Sequence, residues 1–185
     1  MATDDYLADP EDLAAWLGVP ADNPKLLRAL ASASSRFRGQ VRHYVSRVTG
    51  DTVRVDGTGR RSFLLPAAPV VELTSLELDG TALVEGAGFE WSEDGFVRRA
   101  GGCLYWPDRL RCIQVVYSHG YDPVPEDISE VVIDQARSQY TVRPGIQTMQ
   151  VGGQQVGFGA QASVGVTTQW TAMVDKYRLD RGDDP

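Results

Sequence analysis

Val115-Val116-Tyr117-Ser118-His119-Gly120-Tyr121-Asp122-Pro123-Val124-Pro125-Glu126-Asp127-Ile128 is the turning point of this chain. Its opening belongs to a β-type run, Cys112 to Tyr117, rich in the branched and aromatic residues that fit a pleated surface. Gly120, Pro123 and Pro125 break that run, because proline donates nothing to a ladder and pushes the residue before it out of the helical region. Glu126-Asp127 then opens a helix, with two acids at the positive end of its dipole. Ile128, Val131, Val132 and Tyr140 follow at helical spacing, and Arg143-Pro144-Gly145 ends the element. A strand that hands over to a helix across a proline-rich turn is the mark of segregated α and β parts.

Upstream, from Thr52 to Tyr117, the texture is of short strands: Thr52 to Val55, Ser62 to Leu65, Val70 to Leu78, Phe89 to Trp91 and Cys112 to Tyr117. Asp56-Gly57, Asp79-Gly80 and Asp94-Gly95 predict hairpin turns, where glycine supplies the positive φ of a tight connection. This is a small antiparallel sheet inserted between helices.

The N-terminal part is helical. Asp9 caps a short helix with Pro10 in its first turn, Gly18 and Pro20 close it, and Leu13, Trp16 and Leu17 form its apolar face. A second helix starts after Asp22-Asn23-Pro24 and runs toward Val48, with Leu26, Leu30, Ala33, Phe37, Val41, Tyr44 and Val48 spaced by three or four residues. Arg28, Arg36, Arg38, Arg42 and Arg47 give its other faces a local basic excess. A solvated face and an ion-pairing face toward another protein surface are both open readings, with direct DNA contact a weaker one.

Beyond Arg143 no charge occurs from Ile146 to Trp170. Met149 and Val151 alternate, Gly152-Gly153 turns, and Val156 and Phe158 alternate again, which predicts a hairpin over 146–160. Two readings are open for it: a surface that neighbours cover, or a segment disordered until assembly. A final helix over 167–179 places Trp170, Met173, Val174 and Tyr177 on one side. So short a helix is marginal alone and must dock, on its own domain or on a partner.

The whole is one α+β domain of 185 residues. It is a small helical bundle (1–50) with an inserted antiparallel β-sheet (51–118), a helix (125–142), an extended Gly-rich β-hairpin and a C-terminal helix. Hydrophobic residues make up 42% of it, enough for one core. The net charge of -7 argues against a protein that grips phosphate backbones over its whole surface, though it suits a wall that DNA must slide past. No apolar run approaches the roughly 20 residues of a membrane helix. The acidic start is unlike a signal peptide, which points to a cytoplasm. Cys103 and Cys112 are too few for a disulfide framework or a zinc set, and read as reduced packing residues, with one cross-strand disulfide as the alternative.

Catalytic machinery is not evident. No GxxxxGK[ST] cradle occurs, and Gly57-Thr58-Gly59, followed by Arg60-Arg61, reads as a strand connection. Only His43 and His119 could serve a nucleophile pair. His43 falls within the expected long helix. His119 shares a Gly/Pro turn with Asp122, an arrangement that could orient a base or hold a metal but more simply stabilises the turn. No cofactor is expected.

The ordered motifs carry a resemblance. Leu65-Pro66-Ala67-Ala68-Pro69-Val70, Leu76-Glu77-Leu78-Asp79-Gly80, Val115 to Asp122 and Pro125-Glu126-Asp127-Ile128 stand in the order seen in head-tail connector proteins. The chain resembles the adaptor family of long-tailed bacteriophages, especially those of actinobacteria. The likeness extends to the N-terminal EDLAAWLG helix and the closing Tyr177-Arg178 pair, and so over nearly the whole chain.

That resemblance implies a structural virion protein of the neck, assembled in the host cytoplasm and not an enzyme. It implies a homo-oligomeric ring, dodecameric to match the portal protein, that lines the DNA exit channel and joins the capsid to a stopper or tail-terminator protein. DNA would pass through its lumen without sequence preference, and no membrane is involved. Trp170, Met173, Val174, Tyr177 and Arg178 are the expected docking residues for the portal or a neighbour. Met149, Val151, Gly152, Gly153, Val156 and Phe158 are those expected between subunits. A stopper or tail-completion protein of the same neck, a small cytosolic enzyme using His119 and Asp122, and a monomeric ligand-binding β domain are the alternatives.

Overall fold

The structure, a computed structural model, describes residues 6–101, 104–141, 148–151, 154–157 and 167–179. The chain forms two compact units, a helical one from Met1–Val41 with Val124–Arg178 and a β unit built on Arg42–Pro123.

In the helical unit, α1 (Pro10–Leu17) starts where the Asp9 side chain accepts the Glu11 N–H at 2.8 Å, and ends at Gly18 in the left-handed region. Its buried face is Leu13 and Ala14, reached through Leu7 and Ala8. Trp16, expected on that face, is 70% exposed. Its ring stands under the Arg137 guanidinium of the third helix, while Leu7 is buried just upstream, its N–H donating to the Ser34 hydroxyl and its carbonyl accepting from the Ser129 hydroxyl.

The second helix, α2 (Pro24–Val41), is capped by the Asn23 side chain, which accepts from Lys25 N at 2.9 Å. Leu26, Ala29, Leu30, Ala33, Ser34, Phe37 and Val41 are its buried stripe. The expected continuation to Val48 does not occur. Arg42 takes φ 64°, the left-handed position that stops a helix, so Tyr44 is exposed and Val48 begins a strand. His43, expected inside the helix, lies in the loop after it, with Nδ1 3.0 Å from the Tyr44 carbonyl. Apolar spacing extended across the break by coincidence. Helix α3 (Glu126–Thr141) buries Ile128, Val131, Val132, Gln135 and Ala136. Helix α4 (Thr168–Tyr177) is capped by the Thr167 hydroxyl, which accepts from Trp170 N. Among the described residues no helix is long and apolar enough to cross a membrane.

The β unit holds two antiparallel sheets. Strands β1 (Val48–Val55), β7 (Ile113–His119), β3 (Val70–Leu78) and β4 (Thr81–Leu83) form one in the order β1-β7-β3-β4. Strands β2 (Ser62–Leu64), β6 (Phe96–Arg99) and β5 (Phe89–Trp91) form the other in the order β2-β6-β5. One core joins them, with Phe63, Phe89, Val97 and Trp106 meeting Leu73, Leu76, Ile113, Val115 and Tyr117. Cys112 is a free thiol in this core, while Cys103 lies outside the described residues.

The turn at Asp79-Gly80 joins β3 to β4 with both residues at positive φ, and Gly95 turns β5 into β6. The Asp56-Gly57 turn is different. It carries the chain from one sheet to the other, and Gly57 serves for space, since a Cβ there would stand 1.9 Å from the Pro107 carbonyl oxygen. Strands β4 and β6, three and four residues long, lie outside the runs expected from the sequence. The strand pair β8 (Thr148–Val151) and β9 (Gln154–Gly157) is antiparallel, with Met149 opposite Val156 and Val151 opposite Gln154. The expected turn at Gly152-Gly153, and Phe158, lie outside the described residues.

Candidate functional site

Helix α4 takes up the end of the uncharged C-terminal stretch. Ten residues make fewer than three turns, so this helix holds its place by what it buries. Trp170 is 1% exposed and meets Phe37 of α2 edge-on, with ring centroids 5.3 Å apart. Its indole N–H donates to the Gln40 side-chain oxygen, which completes the polar end of an otherwise apolar burial. The four residues expected on one side of α4 do share it, and that side faces its own bundle: Met173, Val174 and Tyr177 are half-buried beside Trp170. Arg178 follows as the C-cap, its N–H donating to the Val174 carbonyl.

The far end of α4 is latched electrostatically. The Tyr177 hydroxyl donates to both carboxylate oxygens of Asp127, at 2.9 and 3.0 Å, and Lys176 Nζ reaches one of them at 2.7 Å. Burial works against the Asp127 charge, but the bonds from Lys176 and Tyr177 outweigh it and hold the carboxyl below the usual carboxylate range. The same bond raises Lys176, and burial together with Asp127 raises the Tyr177 phenol. Sequence reading placed Asp127 in the first turn of α3 but not as this anchor, because its partners lie about fifty residues away.

Of the expected basic residues, Arg28, Arg36 and Arg38 remain on α2, where about 100° per residue puts Arg36 and Arg38 about 80° to either side of Arg28, and Arg42 lies beyond its end. Arg28 is exposed, and Arg36 and Arg38 are half-buried.

His119 is no turn residue. It ends β7 buried, and its carboxylate neighbour is Asp51 of β1, 3.2 Å from Nε2, rather than Asp122, which is exposed and makes no hydrogen bond to His119 among the described residues. Burial lowers the His119 pKa against the opposing pull of Asp51, with His43 and Arg47 adding to the lowering. A neutral imidazole, one carboxylate and a packed Tyr117 ring 4.8 Å away make a strand-end brace.

No protein-family model matches the sequence, and no curated protein does. Solved structures do match. A chain from the neck of a native gene transfer agent particle, determined with C12 symmetry, is 19% identical over 98% of this chain and 94% of its own, with a TM-score of 0.57. A chain from the neck of the empty particle, determined with C6 symmetry, gives 19%, 98%, 94% and 0.60. A third, from the virion of the native particle, gives 18%, 98%, 93% and 0.57.

The likeness is one of fold. It runs through helices, β unit and C-terminal helix alike, since almost nothing of either chain lies outside it. The fold is therefore similar to that of particle-neck chains whose sequences differ in about four positions of five.

Proposed function

We propose that this chain is a structural protein of a phage-like virion neck, an adaptor that forms a ring on the portal, lines the DNA exit channel and joins the head to a stopper or tail. The observation that carries this is the near end-to-end likeness of fold to neck chains of a gene transfer agent particle. The symmetry of those structures supports a ring, and the C12 case a dodecamer. Ring closure needs heterologous faces, in which one side of a subunit meets the other side of the next.

Its mechanism is assembly without turnover. The β8-β9 pair, uncharged and two-stranded, is suited to lie across a neighbour through Met149, Val151 and Val156. Helix α4 offers Met173, Val174 and Arg178 at its half-buried rim to the portal or a neighbour, while Trp170 holds it to its own bundle. A net charge of -7 keeps DNA from adhering to the wall.

Mixing the purified chain with its portal tests the reading. Light scattering and electron microscopy should show a ring of this chain seated on the portal. A stable monomer that ignores the portal, and is absent from purified virions, would overturn it.

A further inference from the structure

Arg61, Glu90, Arg98, Arg99, Ala100 and Gly101 line a cleft of about 240 Å³ in the β unit. Three arginines and one glutamate are among these residues. Glu90 and Arg98 face each other across the β5-β6 pair, 2.6 Å apart, so that carboxylate is already engaged. Arg61 and Arg99 make no ion pair with any described residue. The two are held together by the backbone, the Arg99 N–H donating to the Arg61 carbonyl at 3.1 Å. Two arginines without an ion-pair partner among the described residues thus border one cleft.

Arg99 is the sharper signal. Its guanidinium lies over the Trp106 ring, 5.3 Å from the centroid, and its Nε and Nη1 are buried without an acceptor. Buried donors left unmade are costly, and guanidinium is the side chain whose geometry best matches an oxyanion. Arg61 stands over the Tyr105 ring at 5.5 Å, at the mouth. Beside it Tyr105 and Leu104 are exposed, and a Cβ on Gly101 would touch Leu104, so apolar surface borders the cleft.

We infer that this cleft is a carboxylate receptor, and that its occupant is an aspartate or glutamate side chain of a second copy of this chain. Arginine bordered by exposed aromatic and aliphatic groups is the composition of a protein interface, where a DNA phosphate site would have only charge to offer. The chain carries 25 acidic residues against 18 basic ones, so each copy has carboxylates to supply. A heterologous ring brings different faces together, which lets a basic cleft meet an acidic patch. This rests on the ring reading above.

Arg61→Lys provides the test, because Lys25 and Lys176 are the only natural lysines and the new amine stands alone in the β unit. Isotope-labelled and unlabelled variant chains are mixed, assembled with the portal, treated with a carbodiimide and digested. Mass spectrometry should find the new amine joined to an Asp- or Glu-containing peptide of the other isotope. In parallel, Arg61→Glu, on the exposed rim, should raise the concentration for half-assembly about ten-fold or more with its folding unchanged. Arg99→Lys, which keeps the charge over Trp106, should do so less. Rings that form normally in Arg61→Glu and give no intermolecular cross-link, or one only to Glu90 of the same chain, overturn the receptor and leave the ring intact. Normal assembly with lost DNA retention in a mobility-shift assay assigns the cleft to phosphate and also overturns it. A wild-type chain that never assembles overturns both readings.

Discussion

Tyr177, in the last turn of α4, donates its hydroxyl to both oxygens of Asp127, in the first turn of α3. The bond ties the closing helix to the bundle at the place where α3 emerges from the proline-rich turn. Replacing Asp127 by Ala removes the acceptor for Tyr177 and the partner of Lys176 together. The half-exposed site limits the loss to about 1–2 kcal/mol, expressed locally. Hydrogen exchange should show α4 losing protection while the α2 and α3 core keeps its own, and equal loss across all three helices would contradict a local latch.

Trp170 and Trp16 should differ sharply when cut to alanine. Trp170→Ala leaves a cavity against Phe37 and strands the Gln40 oxygen, at about 3–5 kcal/mol. Trp16→Ala removes a 70% exposed ring whose described partner is the Arg137 guanidinium, 5.4 Å from its centroid, and should cost about 1 kcal/mol or less. Urea unfolding of the two variants followed by circular dichroism checks the contrast. Similar midpoints for both would mean that Trp170 is not part of the bundle core.

The two tryptophans also mark where sequence was legible. Strands β3 and β5 were readable to the residue because their runs are bounded by proline and glycine. Helix α3 and the stripe of α4 were readable because period and cap agree. The end of α2 was not, since Arg42 has an ordinary side chain and only its φ stops the helix. Trp16 was misplaced because its ring lies against Arg137 of α3 and not in the core, a contact that no pattern internal to α1 reveals. Of the candidate sites, the α4 stripe was visible, but Asp127, Gln40 and the cleft of Arg61 and Arg99 were not. Each depends on elements brought together by pairing at long range or across separate strands.

Glycine substitutions should move stability in opposite directions. Gly120 has φ 88°, and a Cβ there would lie 2.3 Å from the Ser46 carbonyl oxygen, a backbone atom that cannot swing aside. Gly120→Ala should therefore destabilise the β unit by about 3 kcal/mol or more. Gly39, within α2, has open space where its Cβ would go, so Gly39→Ala should stabilise by about 0.5–1 kcal/mol through helix propensity. Thermal melts of the two variants beside the wild type give the signs directly, and a stabilising Gly120→Ala would refute the close approach.

Mild acid should weaken the β unit through His119. Burial lowers its pKa below the ordinary 6.5, with Asp51 resisting and His43 and Arg47 assisting. The unfolded chain then takes up a proton near pH 6.5 while the folded one does not, so the unfolded state binds more protons in that window and stability rises with pH through it. The contribution is complete above the ordinary histidine range and is lost as pH falls toward the folded value. Asp127 acts at lower pH: with its carboxyl held below the usual range, its contribution is full above that range and disappears as the folded group protonates. His119→Asn should flatten the loss of stability between pH 7 and 5.5 in urea titrations, and Asp127→Asn should leave that window unchanged while removing part of the loss below pH 4. Nuclear magnetic resonance of the His119 ring should show titration below 6.5. If His119→Asn loses stability in parallel with the wild type across the upper window, the brace at the end of β7 is not what titrates there.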